Sequence, residues 1–275
     1  MREGIKLLLK GGVIGIANII PGVSGGTMAV VLGIYQKLIE AIGNFLTRKE
    51  KRKEYVIFLG VVFFGAGISI LAFSWLMDYL LTYYEQYTYL FFIGLILGSV
   101  PSIYKTHPDM KLSPPAILTF CGGVLLILII FFFSPVHHAP IKSDVGVSID
   151  SRQAIMLIIS GIFSGGSMIM PGISGSFILV LLGQYQIVIR AVKNINLIPL
   201  FFLGIGVGFG VWSFAKIIDI LLKRFPKETF YFILGLVVAS VIPIFPGIPA
   251  GLAGKLTALV IFIMAALISY KLGDR

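Results

Sequence analysis

The chain has 275 residues, of which 57% are hydrophobic and only 12% are charged, and its mean hydropathy is +1.00. Soluble domains carry about 25% charged residues, so this chain has too few polar groups to cover a surface that faces water, and it is predicted to be an all-α polytopic membrane protein. Its net charge of +10 is assigned to basic loops that fix membrane orientation, and nucleic acid is not predicted as a partner.

The first half of the chain, residues 1–135, begins with a short apolar run from Ile5 to Ile20 that ends at the break Pro-Gly-Val-Ser-Gly-Gly. A helical stretch from about Thr27 to Phe45 follows. Three further apolar runs, residues 55–77, 89–104 and 116–133, are predicted to span the membrane. The single cysteine, Cys121, excludes an intramolecular disulfide, and no metal-ligand spacing surrounds it, so neither metal nor cofactor is predicted.

A polar connector at residues 136–153 leads to a second half, residues 154–275, in which the elements recur in the same order. An apolar run from Ala154 to Met170 ends at the break Pro-Gly-Ile-Ser-Gly-Ser, and a helical stretch from Phe177 to Val192 follows. Three more runs, residues 198–220, 230–244 and 252–270, are predicted to be spans.

The two halves are copies of one unit. When Pro21–Asn44 is laid on Pro171–Asn194 without gaps, 12 of the 24 positions are identical. Upstream of the breaks, two glycines of the first half also coincide with two of the second half. An internal repeat of this kind decides the architecture of a chain.

Loop charges predict that the two copies are inverted. The basic N-terminus and the loop 47–54, which carries five basic residues, are predicted to be cytoplasmic, whereas the connector with Asp144 and Asp150 is predicted to be extracellular. The first half therefore begins inside and the second begins outside, with both termini cytoplasmic. Inverted repeats are common in secondary transporters.

The run that precedes each break is predicted to form one arm of a re-entrant hairpin. Ile5–Ile20 has 16 residues, which is roughly 24 Å of helix against a hydrocarbon core of about 30 Å. Proline followed by glycine removes a backbone donor and permits a turn. We therefore predict six full spans and two hairpins that enter from opposite faces, with ten full spans as the alternative.

Each break is predicted to bind an anion, phosphate above all. An interrupted helix leaves free N–H groups and a positive partial charge at the start of the next segment, and glycines allow a ligand to approach the backbone. The alternative is a glycine-rich packing turn with Ser24 and Ser174 as helix caps. The substrate-binding candidates are Gly22, Ser24, Gly25, Gly26, Thr27, Gly172, Ser174, Gly175, Ser176 and Arg190, with Asn18, Glu40 and Lys193 as secondary candidates.

Arg190 and Lys193 break the positive-inside pattern, because the end of their helix should lie outside. Arg190 is 16 residues beyond Ser174, roughly 24 Å along one continuous helix, and this places it at the outer interface. Arg190 has two interpretations, which are left open: a solvated, snorkelling side chain, or a cation that attracts phosphate headgroups of the outer leaflet. Glu40 with Lys37 is interpreted as a solvated interfacial pair.

An enzyme is not predicted. No His or Asp accompanies either break, so a lipid phosphatase would lack the nucleophile or general base that its chemistry requires. The residues alone therefore predict a transporter or a channel for a phosphate-like anion, with a lipid-phosphate enzyme as the third reading. A coupling ion, H⁺ or Na⁺, and the oligomeric state stay open.

The pair NIIPGVSGGT and PGISGS, placed on two halves of one membrane protein, resembles the polyprenyl-phosphate transporter family over nearly the whole chain. The resemblance implies a flippase in the bacterial plasma membrane that returns undecaprenyl phosphate from the outer to the inner leaflet. The alternative is a channel or exchanger for a small phosphate-like anion. The second copy departs from the first at Ser176 and Phe177, where the first copy has Gly26 and Thr27.

Overall fold

A computed structural model describes residues 2–19, 23–105, 107, 109–132, 150–193 and 195–273, which are helical with short connections and contain no strand. The helices of the first half are α1 (Arg2–Ile19), α2 (Gly25–Val31), α3 (Tyr35–Asn44), α4 (Arg52–Tyr83), α5 (Glu85–Lys105) and α6 (Pro114–Phe132). Those of the second half are α7 (Ser151–Ile169), α8 (Gly175–Leu181), α9 (Tyr185–Lys193), α10 (Leu197–Arg224), α11 (Pro226–Ala239), α12 (Val241–Ile244) and α13 (Gly251–Gly273).

Seven helical segments in the described part of the chain are long and apolar enough to cross a membrane. Six of them, formed by α4, α5, α6, α10, α11 with α12, and α13, coincide with the six predicted spans. The all-helical membrane class is therefore confirmed. The seventh is α7, which we predicted to be one arm of a hairpin. The re-entrant arrangement and the inverted topology stay predictions. The extracellular position of the connector also stays a prediction, because most of the connector lies outside the described residues.

The helical stretches that follow the breaks are interrupted, and the prediction of one continuous helix in each half was wrong. Gly33 and Gly183 have φ angles of +66° and +68°, which end α2 and α8 before α3 and α9 begin. The N–H of Ile34 donates to the carbonyl of Ala29, and the N–H of Gln184 donates to that of Leu179. These bonds form the glycine-terminated ending that satisfies the last carbonyls of a helix.

Glycines allow the helices within each half to touch at the backbone. A Cβ on Gly11 would collide with the carbonyl oxygen of Val62, so α1 packs directly on α4. The repeat-related Gly161 stands in the same relation to the carbonyl oxygen of Leu203, where α7 packs on α10. Small residues at such crossings are typical of helix packing in membranes. Because the hydrophobic effect does not drive helices together in lipid, their association depends on close van der Waals packing.

Two further contacts join the halves to each other. Helix α5 packs on α13, and α11 packs on α6. Each contact again depends on a repeat-related glycine: a Cβ on Gly94 would lie 2.5 Å from the carbonyl oxygen of Phe262, and one on Gly235 would collide with that of Phe120. The last helix of the first half, α6, therefore packs against α11 of the second half, and the last helix of the second half, α13, packs against α5 of the first.

The repeats differ in how the segments after the breaks are packed. Helix α2 contacts α5, α7 and α13, and α3 packs on α10. Within the described residues, α8 and α9 make no contacts of comparable extent with the opposite half. In the first break Val23, Ser24 and Gly26 are buried, whereas Ser174 and Ser176 in the second are partly or fully exposed.

Candidate functional site

The two breaks, 150 positions apart in the sequence, meet in the structure. The N–H of Gly172 donates a 2.7 Å hydrogen bond to Oγ1 of Thr27, whose side chain is buried. Oγ of Ser24 donates to the carbonyl oxygen of Met170 at 3.4 Å. Candidate residues from both halves therefore belong to one assembly.

The first break is organised by a helix cap. Ser24 has an extended backbone (φ −102°, ψ 139°), and its Oγ accepts a 3.3 Å hydrogen bond from the N–H of Thr27 at the start of α2. At the other end of α2, the ammonium of Lys10 donates to the carbonyl oxygen of Leu32 at 2.7 Å. Both interactions satisfy backbone groups that a seven-residue helix leaves without partners.

The described glycines of the first break have close contacts within the protein, and those of Gly26 are with backbone atoms. A Cβ on Gly26 would lie 2.6 Å from the carbonyl oxygen of Ile169, at the end of α7. A Cβ on Gly25 would lie 2.8 Å from Oδ1 of Asn18, which is otherwise exposed near the end of α1. These contacts favour the packing interpretation at Gly26, where backbone would have to move, whereas the role of Gly25 stays a prediction. Gly22 lies outside the described residues.

The second break has a different, more open environment. Gly172 adopts a φ of +83°, which favours glycine, and Gly175 is enclosed by Ser164, whose Oγ donates to the carbonyl oxygen of Gly175 at 2.9 Å. Oγ of Ser174 and Oγ of Ser176 lie 2.8 Å apart and are partly or fully exposed. Ser176 occupies the position of Gly26 in the first copy, and it is exposed, whereas Gly26 is buried against the backbone of α7.

A cavity of about 170 Å³ adjoins these two hydroxyls. Its remaining walls are mostly apolar and come from α6, the second break and α12, through Ile127, Ile130, Phe131, Gly172, Ile173 and Pro243. The cavity thus offers hydroxyl donors on one side and hydrocarbon on the other. This combination suits the junction between a polar headgroup and an apolar chain.

The remaining candidates lie apart from this cavity. Arg190 is on α9, and the turn at Gly183 separates it from α8, so the estimate of 24 Å along one helix does not apply. The side chain of Lys193 lies outside the described residues. No group of three or more His, Cys, Asp or Glu that could hold a metal ion occurs in the described ranges.

Glu40 and Lys37 do not pair with each other as predicted. Oε1 of Glu40 accepts hydrogen bonds from the hydroxyl of Tyr55 at 2.8 Å and from Arg48 at 3.3 Å. Lys37 instead pairs with Glu54 at 3.1 Å. The prediction was wrong because the first turn of α4 brings competing partners to α3. Glu40 joins two helices and lies outside the cavity.

A polar cluster that the sequence analysis missed lies where α3 crosses α10. The buried Asp219 accepts a 2.8 Å hydrogen bond from Nδ2 of Asn44 and pairs with Lys223 at 2.5 Å. Lys216 donates to Oδ1 of Asn44 at 2.6 Å and to Oγ1 of Thr47 at 3.3 Å. An acidic residue inside an apolar run was the available signal, since such residues are rare in membrane spans.

Comparisons with known proteins identify the family that this chain resembles. A family model described as undecaprenyl phosphate translocase-like matches residues 14–253. A protein of Vibrio cholerae named polyprenyl-phosphate transporter is 34% identical over 253 residues, covering 88% of this chain and 78% of the relative. A protein of Staphylococcus aureus with the same name is 34% identical over 279 residues, covering 97% of this chain and 95% of the relative. No solved structure was found to match.

Proposed function

We propose that this chain, which belongs to the undecaprenyl phosphate translocase-like family, moves polyprenyl phosphate across the bacterial plasma membrane and returns undecaprenyl phosphate from the outer to the inner leaflet. The observation that carries the proposal is the cavity at the second break, where Ser174 and Ser176 meet an apolar wall. The relatives' names support the lipid carrier as the substrate class; the direction and the undecaprenyl chain belong to the proposal.

The phosphate of the lipid is held by the hydroxyls of Ser174 and Ser176 in this proposal. Their oxygens are hydrogen-bonded to each other at 2.8 Å, and because hydroxyl protons rotate, a bound phosphate would accept from both hydroxyls in place of that bond. Bonds from neutral hydroxyls to an anionic oxygen are charge-assisted and stronger than bonds between neutral groups. The first isoprene units then lie against Ile127, Ile130 and Phe131 of α6.

The first break acts as the support of this site. Thr27 fixes the N–H of Gly172 and Gly26 packs on the last turn of α7, so the position of the second break depends on the first. The two copies therefore have unequal roles: the first is a packing and positioning element, and the second contacts substrate.

The proposed topology is the inverted one, with both termini cytoplasmic and a hairpin entering from each face. The reciprocal packing of α5 on α13 and α11 on α6 supports a two-fold relation between the halves. Alternating access between two such halves moves a headgroup past a fixed central site without carrying it through hydrocarbon.

Transport of labelled polyprenyl phosphate between the leaflets of proteoliposomes tests the proposal. We expect the wild type to move the lipid, and expect Ser174→Ala with Ser176→Ala to slow it at least about tenfold, since a hydrogen bond to a charged group contributes about 1.5–3 kcal/mol. Ser74→Ala is the matched control, because Ser74 is exposed on α4 and bonds only to the carbonyl of Leu71 among described contacts.

Three other results would redirect the assignment. Movement of inorganic phosphate in place of the lipid would favour the small-anion channel, and release of phosphate from the lipid would favour an enzyme. Full activity of the variant with both Ser174→Ala and Ser176→Ala would show that the headgroup does not bind at the second break.

A further inference from the structure

A second and larger cavity, of about 520 Å³, opens between α3, α4 and α10 and contains no residue of either break. Its walls are apolar, and four of them are the aromatic rings of Phe45, Phe63, Phe209 and Trp212. Ligand cavities usually have volumes of about 300–1,000 Å³ and are lined mainly by apolar and aromatic side chains. The size and lining of this groove are therefore those of a binding site for an apolar chain.

Cationic side chains lie at one end of the groove. Lys216 follows Trp212 by four residues on α10, so both project from the same face of the helix. The backbone of Lys216 also packs on Gly43 of α3, where a Cβ would lie 3.0 Å from Cα of Lys216. Its ammonium contacts only neutral acceptors among its described bonds, Asn44 and Thr47.

Arg52 supplies a second cation at the same end. Its guanidinium donates to the carbonyl oxygens of Phe45 and Leu46, at 3.1 and 3.3 Å, and these two residues line the groove. Arg52 is exposed and belongs to the basic loop that the charge pattern predicts to be cytoplasmic. Basic groups beside a gap between membrane helices attract anionic lipid headgroups on the cytoplasmic side.

We propose that this groove binds the isoprenoid chain of the transported lipid phosphate, with its phosphate beside Lys216 and Arg52, as the lipid enters the cytoplasmic leaflet. The inference rests on the proposed function and adds a second lipid site to it. A free anion does not fit, because the groove itself has almost no polar lining. Aromatic walls suit an isoprenoid chain, whose alkenes are planar and stiff, and Lys216 and Arg52 complement the charge of its phosphate.

A glycine in the groove provides a direct test. A Cβ on Gly208, which lines the groove, meets no atom within 4 Å, so a leucine side chain can start from this position and project into the groove. Gly204 lies one turn earlier on α10, also meets open space and is outside the lining, so Gly204→Leu is the matched control. We expect Gly208→Leu to slow transport of undecaprenyl phosphate about tenfold and Gly204→Leu to leave it unchanged.

Fluorescence reports occupancy independently of transport. The chain has two tryptophans, and Trp75→Phe leaves Trp212 as the only indole. In proteoliposomes of phosphatidylcholine with brominated acyl chains, bromine in the groove quenches Trp212. We expect undecaprenyl phosphate at a few mole per cent to relieve this quenching, and expect undecaprenol and phosphatidic acid at the same level to relieve it less.

The outcomes separate this inference from the proposed function. If the wild type moves undecaprenyl phosphate but Gly208→Leu moves it equally fast, and all three lipids affect Trp212 alike, then the groove holds ordinary membrane lipid and the inference is overturned. Stronger displacement by phosphatidic acid would also overturn it and assign the groove to a phospholipid. If the wild type moves no polyprenyl phosphate, it is the proposed function that has failed.

Discussion

Replacing Thr27 with valine tests whether the two breaks depend on each other. Valine has nearly the shape of threonine, so the substitution leaves no cavity but removes the oxygen that accepts from the N–H of Gly172. Thr27 is 1% exposed, so its side chain is shielded from water. The N–H of Gly172 then loses its partner.

The magnitude follows from the burial of both groups. A buried donor without an acceptor costs about 1–3 kcal/mol, whereas hydrogen bonds between membrane helices average about 0.6 kcal/mol. Gly172 is only partly buried, so we expect a loss of about 1 kcal/mol in the free energy of unfolding. For a chain of this size, that lowers the melting temperature by about 2–4 °C.

Thermal unfolding in detergent, followed by the transport assay, measures the effect. Thr229→Val is the matched control: Thr229 is also buried, and its hydroxyl donates to the carbonyl of Phe225, which already accepts from the N–H of Thr229. That substitution leaves no backbone group without a hydrogen-bond partner, so we expect the melting temperature of the Thr229→Val variant to change less. Equal melting temperatures and equal transport for Thr27→Val and wild type would refute the coupling of the two breaks.

Three further predictions concern the polar cluster, the topology and Arg190. Asp219→Ala should lower the melting temperature more than Asp219→Asn does, because asparagine keeps an acceptor for Asn44, and circular dichroism on heating compares the two. In a Cys121→Ser background, a cysteine at Glu50 should resist an impermeant thiol reagent in intact cells; labelling from outside would contradict the predicted topology. Arg190→Gln should weaken capture of polyprenyl phosphate from the outer side more than Arg190→Lys, with a difference that shrinks as salt rises; equal rates at low salt would leave Arg190 as an interfacial anchor.

The membrane class and the spans were predictable because both depend on local composition. A run such as 55–77 is apolar enough to span by itself, and no distant partner changes that result. The turns at Gly33 and Gly183 were missed although their signal was present in the sequence. Both glycines are identical in the repeats, and a glycine that follows an apolar helical run often ends the helix.

The side-chain partners were not predictable, because they depend on how helices pack. Asn44 and Asp219 are 175 residues apart in the chain and are joined only because α3 crosses α10. Lys37 and Glu40 have the spacing of a helical ion pair, yet Tyr55 and other groups at the start of α4 offer Glu40 better partners. Sequence spacing therefore identified polar residues but not the bonds they form.

The unequal packing of the two halves has its origin in single residues. Gly43 lets α3 approach α10 so closely that a Cβ at this position would lie 3.0 Å from Cα of Lys216, whereas the repeat-related position in the sequence is Lys193 instead of glycine. The partners differ as well: by the offset that aligns Leu59 with Leu203, Asp219 corresponds to Trp75, so α4 offers no carboxylate to α9 at that position. Among the described residues, the contact between α3 and α10 has no counterpart of comparable extent between α9 and α4. In the proposed alternating-access transport, we expect the state in which α3 is bound to α10 to be favoured, and we expect substrate binding to supply the free energy that is needed to leave it.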